Sequence, residues 1–75
     1  MKELVEYIVK SIVAEPDKVN ITEENSDMGL LIKLEVAPED KGRVIGRQGR
    51  VAEAIRTLLR VKAARANTRV RLEIL

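Results

Sequence analysis

Within VIGRQGRVAEAI, residues 44–55, Gly46 and Gly49 stand three positions apart around Arg47 and Gln48, with Arg43 and Arg50 flanking them. Two glycines let a backbone turn sharply and approach a ligand with no Cβ in the way. An apolar pattern at helical spacing resumes at Arg50. The free N–H groups at the start of that helix would point at the junction, at the positive end of its dipole. Arg47 adds formal charge at the loop itself. The chemistry this arrangement can do is to hold an anion, above all a sugar–phosphate backbone.

Two better-known phosphate motifs do not fit. A dinucleotide fingerprint needs G-x-G-x-x-G after a strand, whereas Gly42-x-x-x-Gly46-x-x-Gly49 follows a short predicted helix. The P-loop pattern G-x-x-x-x-G-K-[ST] is absent. What remains is a helix–GxxG–helix junction. Glycines at this spacing could merely permit a tight corner. Arg and Gln between them, and the apolar Val44-Ile45 before them, favour a binding edge.

Bond-breaking chemistry has little to work with. The chain has neither Cys nor His, which removes disulfides, thiol nucleophiles, the usual zinc sets and the commonest general bases. Glu39 and Asp40 are explained as helix-start residues rather than an acid–base pair. No enzyme activity, metal, cofactor or small-molecule substrate is expected. Tyr7 is the only aromatic residue, so an aromatic stacking platform for bases is unavailable too. No apolar run approaches the ~20 residues of a membrane span or the ~7–15 of a secretory signal. A cytoplasmic protein with no membrane partner is expected.

Charge is sorted along the chain. Residues 1–40 carry four Lys against ten acids, a net −6, and residues 41–75 carry eight Arg and two Lys against Glu53 and Glu73, a net +8. Such sorting suits one basic face turned to a polyanion, although an unevenly solvated surface would look the same.

The elements that must position the junction can be read from periodicity. At 75 residues and 45% apolar content, residues 1–75 make one small domain with an aliphatic core. Leu4, Val5, Ile8 and Ile12 predict a first helix, closed before Pro16. Val19 and Ile21 alternate with polar neighbours in a short strand. Glu24-Asn25-Ser26-Asp27 suggests a turn, and Leu30, Ile32, Leu34 and Val36 form a second strand, paired as a hairpin with a four- or five-residue loop. Pro38-Glu39-Asp40 starts a short helix that Gly46 must end. From Arg50, Val51, Ala52, Ile55, Leu58 and Leu59 form one apolar arc, extended by Ala63 and Ala66. Lys62 falls in this arc, with its ammonium expected in water. Asn67 is a left-handed terminator, and Val70, Leu72 and Ile74 mark a closing strand. The order is α-β-β-α-α-β. A strand–helix–helix–strand unit returning to one sheet favours a right-handed crossover and parallel pairing. The predicted class is α+β: a three-stranded mixed sheet covered on one face by three helices.

VIGRQGRVAEAI resembles the core signature of the KH domain, in which an apolar pair, I-G-x-x-G and an apolar helix follow one another. The helix–strand–strand prelude resembles the type II, bacterial form. The whole chain, over residues 2–75, is similar to the small stand-alone bacterial KH proteins of the KhpA family. The resemblance implies a non-catalytic RNA-binding domain whose groove takes a short single strand. Gly46–Gly49 would hold the backbone of roughly four nucleotides, and Ile45 and Ala52 would form an apolar floor under the bases. KH domains often carry a larger aliphatic residue where this chain has Ala52. The implied site is Arg43, Ile45, Gly46, Arg47, Gln48, Gly49, Arg50 and Ala52. An RNA chaperone or post-transcriptional regulator is the implied role.

Other basic residues are better read as solvating charges than as RNA contacts: Arg56 and Arg60 on the long helix, and Arg69 and Arg71 on the closing strand. On the long helix Val61 lies about 120° from Ile55 at 100° per residue, outside the core arc. With Ala54 and Leu58 it outlines a small apolar edge where a second copy, or another KH protein, could pack. The alternative function is therefore a protein–protein module that pairs with itself or a related domain, with RNA binding secondary.

Overall fold

The computed structural model describes residues 1–75. Its first helix, α1 (Lys2–Ile12), turns Val5 and Val9 fully inward. Burying two such side chains contributes roughly 3–6 kcal/mol, which decides the fate of a helix too short to persist alone. Leu4, Ile8 and Ile12 pack at its margins. Val9 was not among the predicted apolar positions. Pro16 opens a single tight turn, Pro16–Lys18, after the helix has already ended.

Strand β1 (Asn20–Ser26) pairs antiparallel with β2 (Gly29–Glu35), and β2 pairs parallel with β3 (Val70–Ile74), giving the sheet order β1-β2-β3. The mixed sheet and parallel return are as expected. The hairpin is not. Ser26 faces Gly29 in the register, so the loop is the two residues Asp27 and Met28, and the supposed turn residues Glu24–Ser26 belong to the strand. The reason is that β1 buries only Ile21. Its backbone ladder to β2 holds it, with no apolar alternation to announce it.

Ile21 faces Leu34 and Ile32 faces Leu72 on the covered side of the sheet. Val44 from α2 (Lys41–Ile45) and Ile55 and Leu59 from α3 (Arg50–Arg65) close over them. On α3 the buried stripe is Ala52, Ile55, Leu59 and Ala63. Leu58, 53% exposed, and the exposed Ala66 belong to the predicted arc but fall outside this buried stripe. Lys62 is exposed, as anticipated. Asn67 ends α3 at φ 57°. Its N–H donates to the Ala64 carbonyl and the Thr68 N–H to that of Ala63, at 3.1 and 2.9 Å, the paired bonds of a Schellman motif.

Asp40 departs from the helix-start role. Its side chain caps nothing in its own helix and is 1% exposed, bonded instead to the segment after α1. No helix is long and apolar enough to cross a membrane.

Candidate nucleic-acid interface

The Gly46 N–H donates to the Gly42 carbonyl at 2.8 Å and closes α2. The chain then turns through φ 79° at Gly46. A Cβ here would collide with the Val51 side chain and lie 2.8 Å from its backbone nitrogen. Only glycine fits. Gly49, at φ 73°, has nothing within 4 Å of a would-be Cβ, so its requirement is conformational alone. Between them Gln48 sits at φ 58° and ψ 26°. A left-handed conformation in a non-glycine residue costs roughly 1–2 kcal/mol. The loop therefore holds strain that the sequence pattern does not announce.

Around this turn the side chains point to solvent. Arg43, Arg47, Gln48 and Arg50 are all exposed. The Arg50 guanidinium donates to Gln48 Oε1 at 3.3 Å. None of the three arginines forms an ion pair; the five in the chain lie elsewhere. Val44 faces the core while its neighbour Ile45 is 36% exposed beside the loop. Ala52 is 2% exposed and belongs to the core stripe. Of the apolar pair expected under a bound base, Ile45 presents surface and Ala52 presents almost none.

A groove of about 550 Å³ runs between α3 and β3, lined by Arg56, Leu59 and Arg60 on the helix and Arg71, Leu72 and Glu73 among the strand residues. Strand β3 is an edge strand. Arg56 lies six residues, about 9 Å, along α3 from Arg50. Glu53 occupies the Arg60 guanidinium at 3.1 Å, whereas Arg56 and Arg71 have no carboxylate partner. Sequence reasoning treated these arginines as solvating charges. Helix and strand residues so far apart in the chain meet only through the crossover, and no local pattern could have joined them.

A GxxG turn between a short and a long helix, carried on an α-β-β-α-α-β chain with a β1-β2-β3 mixed sheet, defines a KH domain of type II. The family model for the KhpA/KhpB KH domain matches residues 2–74. The chain is 48% identical over 75 residues to RNA-binding protein KhpA of Clostridium acetobutylicum, with both chains fully covered. It is 49% identical over 75 residues to RNA-binding protein KhpA of Listeria monocytogenes, covering 100% of this chain and 99% of that one. A third relative, RNA-binding protein KhpA of Borreliella burgdorferi, is 48% identical over 73 residues, 97% of this chain and 89% of its own. The chain belongs to the KhpA/KhpB KH-domain family, whose domain binds and does not catalyse.

Proposed function

We propose that residues 1–75 act as one KH domain that holds a short single strand of RNA, in the cytoplasm, as an RNA chaperone or post-transcriptional regulator. The observation that carries this reading is the unpaired positive charge of Arg43, Arg47 and Arg50 around a turn that only glycine can make. Phosphates would lie against Gly46–Gly49, and bases would enter the groove between α3 and β3 over Ile45. The relatives' name, RNA-binding protein, supports it.

The test is Arg47→Asp with Gln48→Asp. Both side chains are exposed, so the helical spectrum and melting should stay nearly unchanged. The new carboxylates repel phosphate at the dipole's positive end, and RNA binding should be lost. Unchanged affinity in a folded double mutant would sink the assignment.

A second reading rests on a separate observation. Ala54, Leu58 and Val61 share one stripe of α3 and all are exposed, Leu58 by 53% and Val61 by 56%. Through this stripe two copies, or this chain and another KH protein, would pair and so join two short grooves. Val61→Lys should shift sedimentation toward monomer without unfolding the protein. A wild type already monomeric at high concentration would leave Val61 a lone surface residue.

A further inference from the structure

Asp40 is the one charged side chain that the core encloses. Its Oδ1 accepts the Ala14 N–H at 2.9 Å and its Oδ2 accepts the Glu15 N–H at 3.0 Å. A buried carboxylate is strongly unfavourable unless bonded, and two charge-assisted bonds are what hold it there. Both partners lie just beyond α1, 26 and 25 residues earlier in the chain. A residue that served only to start its own helix would need neither the burial nor those partners.

Asp40 immediately precedes α2, and α2 leads directly into Gly46. At five residues, α2 is far below the ~12–15 at which a helix persists unaided. Its placement is set from outside at three points. Asp40 ties its entry to the segment after α1, Val44 anchors its middle in the core, and Gly46 abuts Val51 at its exit. Val44 alone would leave the short helix free to swivel about one buried side chain. The entry clamp and the exit contact remove that freedom.

We propose that Asp40 is a positioning residue for RNA binding: it clamps α2 to the segment after α1 and so sets the angle at which Gly46–Gly49 meets the strand. The proposal rests on the reading of the GxxG turn as the phosphate-holding edge.

The experiment uses the full chain and three variants. Asp40→Ala removes both acceptors, and Asp40→Asn keeps one and sets an amide N–H₂ against the other donor. Val5→Ala destabilises the packing of α1 while leaving both Asp40 hydrogen bonds their donors and acceptors. Each is held at a temperature where circular dichroism shows it folded. Two quantities are read: the amide resonances of Gly46 and Gly49, and affinity for a short single-stranded RNA. The glycine resonances should move from wild type through Asn to Ala. Affinity should fall by about tenfold or more for Ala and by less for Asn, since displacements near 1 Å at a site are costly. If Asp40→Ala does not fold, Asp40→Asn carries the test. Val5→Ala should leave both readouts in place. Unmoved resonances, wild-type affinity in a folded Asp40 variant, or an equal loss from Val5→Ala would overturn the proposal. A wild type that bound no RNA would overturn the groove reading, while the glycine resonances would still decide whether Asp40 sets the loop.

Discussion

The β1–β2 turn and the α2–α3 turn both depend on glycine, and their surroundings differ in kind. At the first, Gly29 stands at φ 120° with a would-be Cβ 2.6 Å from the Arg69 carbonyl oxygen. The Ser26 hydroxyl and the Met28 and Leu30 N–H groups there are satisfied internally. Ser26 Oγ accepts the Met28 N–H and donates to the Gly29 carbonyl, and the Leu30 N–H donates to that of Arg69. At the second, Gly46 is equally closed to a Cβ, yet Arg43, Arg47 and Arg50 around it have no carboxylate partner. Tight glycine turns are common hardware. What marks one of them as a ligand edge is the cluster of three unpaired arginines around it, against the single Arg69 beside the other.

The largest effects should come from filling the two turns. In Gly29→Ala the methyl meets backbone that cannot move aside, in a conformation L-residues avoid; strain and overlap together should cost about 3–4 kcal/mol. Gly46→Ala should cost somewhat less, because part of its obstruction is the Val51 side chain. Urea titration measures both. The comparison sharpens when RNA affinity is taken per folded molecule: Gly29→Ala should keep it and Gly46→Ala should lose it. The reverse pattern would break the division between a structural turn and a binding turn.

A smaller effect is expected in the groove. Arg56→Ala with Arg71→Ala removes two unpaired charges while stability stays within about 0.5 kcal/mol, as for surface changes generally. A loop and groove touching about three phosphates should give a log–log salt slope near −2 in the wild type, at ~0.7 per phosphate on single strands. The slope should shrink by up to ~1.4 if both arginines meet phosphate. An unchanged slope would confine the electrostatics to the loop.

The same contrast explains how much could be seen in advance. Element order, the start of α3 at Arg50, the terminator Asn67 and the parallel return of β3 all follow from local patterns: periodicity, capping and crossover rules. The GxxG turn was legible because its residues are adjacent. The rest depends on pairings that the local chain does not encode. Strand β1 runs through Glu23–Ser26 because β2 lies beside it, not because those residues favour a strand. Leu58 looked like core because it lies beside the buried Leu59, but no element covers that side of α3. Asp40 looked like an ordinary helix-start residue because its partners lie 25 and 26 residues away. Arg56 and Arg71 became one groove only through the crossover.

The smallest effect lies in the acidic region, where charge repels itself instead of awaiting a partner. Glu15 is held above the usual carboxylate range, first by a side-chain hydrogen bond with Glu39 and then by the charges of Glu39 and Asp40, with Lys18 at 3.9 Å opposing them. A carboxyl whose folded pKa is raised binds its proton more tightly in the folded state. Its ionised form therefore works against folding above that raised value; the penalty fades as pH falls from there toward the ordinary value of 4.5 and is gone below it. Glu15→Gln removes the penalty while leaving the backbone N–H that Asp40 accepts in place. The variant should melt slightly higher than wild type at pH 7, with the gap closing by about pH 4. Loss of the Lys18 pair offsets part of the gain, and that pair is long and exposed enough to matter little. Thermal melts at pH 7, 5.5 and 4 decide it. A gap that widens toward acid would mean that Glu15 is stabilised as the anion, and the acidic region would then be as internally satisfied as the turn at Gly29.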